Sequence, residues 1–272
     1  MDANTGIRVA EHANVLATWL GVRDTSRLDR AALAREAHVG DGVADVFVLF
    51  GGGILGAVEV LANAMRAGVA RTYGIVGGRG RATFGLERAL HACEAVGEPS
   101  MPDVRTASEA EMLAFVLRAR HGLMPDFLET QSTNCGNNIG FLLDLLDDEP
   151  TPPRSIILCQ DAAMQRRMDA TWRRQVIDRP RYANTQVLNW ALHHAELAWE
   201  NGALVYRNAP EGMWDIDFYL DLLLGDVARL TDDEHGYGPR GTDYVVHVDV
   251  PASVRRSWQE LRMLLGAEAH VR

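Results

Sequence analysis

The chain has no lysine. All 27 of its basic residues are arginine. Chemistry that needs an amine side chain is therefore excluded: a P-loop lysine, a Schiff base to pyridoxal phosphate or a carbonyl substrate, and a Ser-x-x-Lys nucleophile pair. Cysteine is scarce: Cys93, Cys135 and Cys159 are odd in number and lack CxxC spacing, so neither a disulfide framework nor a zinc knuckle is expected. Long apolar runs are missing too. The glycine-rich stretch Val46–Val58 falls short of the roughly 20 residues that span a bilayer, and Met1-Asp-Ala-Asn4 has no basic start leading into an apolar segment. The expectation is a soluble, cytoplasmic protein with no membrane partner. A net charge of −10 argues against nucleic acid as a partner, because that affinity comes from neutralising phosphates. Six arginines do lie between Arg166 and Arg181, where they form either a local basic face or a solvated helix face paired with acids.

What is present is ordinary globular composition, 47% hydrophobic and 24% charged over 272 residues, enough to bury a core without staples. Helical patterns open the chain at 8–20 and 29–37. A unit then recurs: a short apolar run, a small polar or glycine-rich loop, and an amphipathic stretch. The runs are Asp45–Phe50, Thr72–Val76, Asp126–Glu129, Ser155–Cys159 and Thr185–Trp190. Continuous apolar runs alternating with helices predict a parallel sheet covered on both faces. The fold class is α/β, a Rossmann-like doubly wound parallel sheet of about five strands with a mostly helical accessory lobe. The runs at 45–50, 126–129 and 155–159 are expected as neighbouring strands. Residues 1–39 are read as N-terminal helices on the sheet, 40–192 as a nucleotide-binding-type domain, and 193–272 as the lobe. Within the lobe, Met213–Leu230 and Ala252–Leu265 are expected as helices and Tyr244–Val250 as a strand. Ser108-Glu-Ala-Glu111 is a capping-box pattern.

Ligands of open α/β sheets bind outside the carboxyl ends of the strands, so the residues that follow each run are the candidate site. Gly51-Gly52-Gly53-Ile-Leu-Gly56 matches G-x-G-x-x-G and serves either as an anion cradle or as a tight strand–helix turn. The second run ends in Gly77-Gly78-Arg79 without the acid that holds a dinucleotide ribose, which disfavours NAD. After the third run come Glu129 and the polar loop Ser132, Thr133, Asn134 and Asn138, dense enough for polar recognition beyond what a helix cap uses. Cys135, at that helix start, is either a nucleophile or a small structural residue. Asp161 and Arg166 follow the fourth run: Asp161 as a ligand contact or a helix cap, Arg166 as a bidentate anion fork. In the loop 232–241, Tyr237 and Arg240 between glycines form a lid, or the loop is solvent-exposed punctuation. Its acids and His235 lack diagnostic ligand spacing, and adjacent His193 and His194 point apart, so no metal is expected.

Gln131-Ser-Thr-Asn-Cys-Gly136, Met164-Gln-Arg-Arg167, Gly236-Tyr-Gly-Pro-Arg-Gly241 and Val246-His-Val-Asp249 occur in an order that resembles the YdcF-like family. These stretches look like the YdcF branch of the SanA/ElyC group of bacterial proteins, over roughly residues 8–262. The resemblance implies a nucleotide-binding-type fold and a nucleotide-like ligand at the strand ends, such as S-adenosylmethionine. The wider group commonly has Glu-x-x-Ser-x-Asn-Thr-x-Glu-Asn after the third strand. Here Glu129, Ser132, Asn134 and Asn138 match, but Cys135 and Asn137 replace the Thr and the second Glu, and Ala163 stands where a histidine is common. Two readings follow: a transferase or other nucleotide-utilising enzyme with Glu129 as its acid or base, or a ligand-binding or regulatory protein without turnover. A metal-dependent phosphohydrolase is the third, disfavoured because strand-end carboxylates are few.

Overall fold

A computed structural model describes residues 1–92 and 102–266, so Cys93 lies outside the described residues. Five segments form one parallel sheet: β1 (Ala44–Phe50), β2 (Ala70–Val76), β3 (Phe127–Glu129), β4 (Ser155–Gln160) and β5 (Gln186–Ala191), with β1 and β4 the most buried. The strand order is β3-β2-β1-β4-β5, a Rossmann-like α/β arrangement. Its order reverses between β1 and β4, where Leu49 registers with Cys159, and this switch point is where such sheets open a crevice. The expected β1–β4 neighbourhood is found. The run at 126–129 pairs with β2 instead, Val76 opposite Glu129, so β2 separates it from β1. The carboxyl ends of all three strands still open on the same edge.

Side chains alternate along each strand, which explains why the runs are apolar throughout. From β1, Phe47 and Leu49 enter one layer with α3 (Ala57–Ala67) and α5 (Glu109–His121). Val46, Val48 and Phe50 enter the other, against α6 (Cys135–Asp147) and α7 (Gln165–Gln175). Local capping sets the helix starts. Asp29 caps α2 (Arg30–Glu36), Ser108 and Glu111 form the capping box of α5, and Asn134 caps α6. A shorter helix, α4 (Thr83–His91), follows the second glycine loop.

A third core joins α1 (Ala3–Leu20), α8 (Ile216–Leu230) and α9 (Ala252–Leu265). Two features there differ from expectation. Residues 244–250 make no strand ladder: Val245 and Val250 are buried as lone anchors, and Val246 N–H donates to Ala170 O. Their apolar alternation reflects packing against helices. The strands of this region are instead β6 (Glu196–Glu200) and β7 (Ala203–Arg207), an antiparallel hairpin. Asn201 and Gly202 both have positive φ, 52° and 83°, the backbone that an Asn-Gly hairpin turn requires. Among the described residues no helix is long and apolar enough to cross a membrane.

Candidate functional site

The carboxyl ends of β1, β2 and β4 and the starts of α5, α6 and α7 surround a cleft of about 220 Å³. Gly51 forms part of its floor, with Gln160 beside it: Gln160 Nε2 donates to Gly51 O at 3.1 Å, locking the end of β4 to the first glycine loop. The loop 132–138 forms one wall, with Ser132, Thr133, Asn134 and Asn138 all lining the cleft as expected. Phe218, Leu222 and Tyr237 from α8 and the following loop make the opposite, partly apolar wall.

Glu129 supports this wall from below. It is buried, its Oε1 accepts the N–H groups of Gln131 and Ser132, and Oε2 has no partner among the described residues. The carboxylate shapes the loop and does not itself line the cleft. The glycines divide by role. Gly77 is within contact of the Gly51 backbone, and Gly78 N–H donates to Ser132 Oγ at 3.0 Å, so both permit close strand-end packing. Gly53 lies under the Trp214 ring, where a Cβ would come within 2.0 Å of it. Gly52 is more open.

The expected convergence of Gly51–Gly53 with Arg166 is not found. Arg166 turns toward α1, where Nε donates to Trp19 O at 2.7 Å and the guanidinium stacks 4.7 Å from the Trp19 ring. Its neighbour Arg167 enters the cleft, because one residue along a helix rotates a side chain by about 100°. Arg167 pairs with the fully buried Asp226, which also lies 3.6 Å from Arg229, and Arg229 lines the cleft as well. Burial works against the Arg167 charge, but the Asp226 carboxylate outweighs it and holds the guanidinium above its usual range. Exposed Arg81, directly after the second glycine loop, is the third arginine on the cleft. Arg240 is exposed and outside it, with its backbone N–H donating to Asp232 Oδ1 and its charge lowering the Asp232 carboxyl.

Asp161 is buried behind the cleft and neither lines it nor starts α7. It accepts from Ala163 N–H and Trp214 Nε1, and His193 Nε2 lies 3.3 Å from its Oδ1. Burial alone would raise the Asp161 carboxyl, yet the His193 and Trp214 contacts hold it below the usual carboxylate value. His193 thus supplies an imidazole beside Asp161 although position 163 is alanine, a pairing that only the end of β5 brings about.

Sequence reasoning missed Glu109. The Ser108–Glu111 pattern is a capping box, but its other glutamate is buried at the cleft, with Thr83 Oγ donating to its Oε1 at 2.6 Å. Burial pushes its carboxyl up to about 7, against the opposing pull of Thr83 and Arg79. Cys135 also lines the cleft, and burial pushes its thiol up, with Arg167 pulling the other way. A protonated thiol favours the structural reading of Cys135.

A larger hollow, about 800 Å³, lies at the opposite edge of the sheet, by the amino ends of β1, β2 and β4. Asp45 on its wall is already held by Arg71 and Arg154. The smaller cleft is where arginines, amides, hydroxyls and a carboxyl converge. Among the described residues there is no group of three or more His, Cys, Asp or Glu that could hold a metal ion. No protein-family model matches the chain.

Proposed function

We propose that the cleft binds a small, anionic, nucleotide-like molecule. The observation that carries this reading is the convergence of Arg81, Arg167 and Arg229 on one cavity with the amide- and hydroxyl-rich loop 132–138. Guanidinium forks match phosphate and carboxylate oxygens, and Asp226 preorganises two of the three forks. Phe218 and Tyr237 offer faces on which a base or another flat apolar group can stack. The cavity is smaller than the ~300–1,000 Å³ of a full ligand pocket, so it encloses the anionic end and leaves the remainder over the 232–241 loop. The resemblance to the YdcF-like family supports the same reading. S-adenosylmethionine fits the residue types: its carboxylate would meet the arginines, and its adenine could stack on the aromatic wall.

Calorimetric titration with adenosine monophosphate and S-adenosylmethionine tests this. One of them is expected to bind, and Arg167→Ala to weaken it at least tenfold, about 1.4 kcal/mol or more for a lost charge-assisted contact. Arg81→Ala, at an exposed position, should act in the same direction without loss of fold. Arg166→Ala should leave affinity unchanged. Normal binding by both Arg167→Ala and Arg81→Ala would overturn the assignment. An enzymatic reading is favoured over silent binding by a single observation, the buried Glu109 carboxyl on the cleft surface.

A further inference from the structure

We propose that Glu109 couples anion binding to proton uptake: the cleft takes its anion together with a proton, which the Glu109 carboxyl holds and shares with an anion oxygen as a hydrogen bond. The inference rests on the anion reading above and adds the partner that makes an acid acceptable in that site.

Glu109 opens α5 with its carboxyl turned across the strand ends. Oε2 stands where a Cβ on Gly51 would come within 2.5 Å, so the missing side chain at Gly51 is what admits it. Thr83 holds Oε1, and the Thr83 oxygen already accepts from Gly80 N–H at 2.8 Å, which leaves its own proton committed to Glu109. Among the described residues this carboxyl has no ion-pair partner. Arg79 is nearest in charge, but its guanidinium donates to Glu87 and to the carbonyls of Val104 and Ala107. The other groups that face it are Arg81 from the same loop, Cys135 of α6, whose thiol its charge pushes up, and Arg167 and Arg229 around Asp226.

A cleft with three arginines attracts anions, and one buried carboxylate on the same surface repels them. Two negative groups sharing a desolvated site settle by protonating one of them. Glu109 is that group, because it lines the cleft without an ion-pair partner among the described residues and burial has already brought it to about 7. The proton comes from solvent and rests on a Glu109 oxygen, and no bond of the ligand breaks. The charge of the occupied site is thereby matched to the arginines, and Glu109 becomes a donor where it had been an acceptor. Ligands with an acceptor oxygen at that point are selected over those with a donor.

The probe is inorganic sulfate, whose charge is constant between pH 6 and 8.5. Calorimetry in buffers of differing ionisation enthalpy should show proton uptake that approaches one per sulfate above pH 7. Affinity should fall about 30-fold from pH 6 to 8.5, as linkage to a carboxyl near 7 requires. Glu109→Gln should bind sulfate with no proton uptake, and at pH 8 about as tightly as the parent does at pH 6. Thr83→Val, which removes the donor to the ionised form, should move the midpoint to higher pH. Sulfate binding with a flat pH profile, a profile that survives Glu109→Gln, or a midpoint unmoved by Thr83→Val would overturn the coupling and leave the anion site standing. No binding of sulfate or of adenosine monophosphate at pH 6 by parent or variant would refute the anion site itself, and the coupling with it.

Discussion

Burial of a single carboxyl makes stability depend on pH in an unusual direction. Glu109 sits near 7 in the folded chain against an ordinary value of 4.5, so the folded state holds this proton more tightly than the unfolded state. Its contribution is fully present below about 4.5 and is lost as pH rises to 7. The loss amounts to about 3 kcal/mol at most, at ~1.4 kcal/mol for each pH unit. Glu109→Gln should therefore gain stability relative to the parent between pH 5 and pH 8, measured by urea unfolding at both. An equal difference at the two pH values would contradict the assignment. The glycines make a sharper contrast. A Cβ on Gly78 would sit 2.1 Å from Ser132 O, backbone that cannot move without dragging the recognition loop, so Gly78→Ala should cost more than about 2 kcal/mol. Gly52 would meet only Gln160 Oε1 at 3.7 Å, and Gly52→Ala should stay within about 0.5 kcal/mol. Both glycines sit in loops that read alike in sequence. The difference between them is a distance to another segment, which no local pattern encodes.

At the level of elements, Trp214 joins the start of α8 to the sheet. It is buried against Gly53 and Gly85, stacks with Phe84 and Phe218, and donates its indole N–H to Asp161. Phe218 and the cleft wall are set by that junction. Trp214→Phe keeps the ring but leaves Asp161 short of a donor in a buried site, and should cost about 1–3 kcal/mol by denaturant midpoint. The larger truncation Trp214→Ala should cost about 3–5 kcal/mol. Strands and helix caps were legible at this scale, because a continuous apolar run or an Asp, Ser or Asn ahead of a helix acts within a few residues. The β6–β7 hairpin was not expected, although Asn201-Gly202 between Glu-Leu-Ala-Trp-Glu and Ala-Leu-Val-Tyr-Arg carries its signature.

Across the whole molecule, α1 closes one side. It lies along α9, the hairpin and α8, and Arg166 fastens it to α7 through the Trp19 carbonyl and ring. Gly6 brings α1 against Trp199 of the hairpin, where a Cβ would come within 2.1 Å of the indole. The sheet and the α1–α8–α9 core thus share α7 and Trp214 as common contacts. Heat unfolding should accordingly be a single transition, with calorimetric and van't Hoff enthalpies in agreement. Arg166→Ala should shift that transition down, by about 1–2 kcal/mol for one cation–π contact and one hydrogen bond, without splitting it. Two resolved transitions would show that the cores unfold separately.

The amino-acid sequence by itself determined the parallel α/β sheet, the edge on which a site can open, and the polar loop that lines it. Those follow from apolar periodicity and from turn and cap chemistry, all of which act over a few residues. Only the tertiary structure decided which charged side chains meet there. Arg167 and not Arg166 enters the cleft because helix phase is set by what α7 packs against. Glu109 joins the site while Glu129 stiffens its wall, because the start of α5 meets the glycine loops after β1 and β2, and β3 lies at the sheet edge. His193 reaches Asp161 across a separation of 32 positions, since β4 and β5 are adjacent in the sheet. Charge chemistry of this kind depends on distances between remote segments, and those distances exist only once the chain has folded.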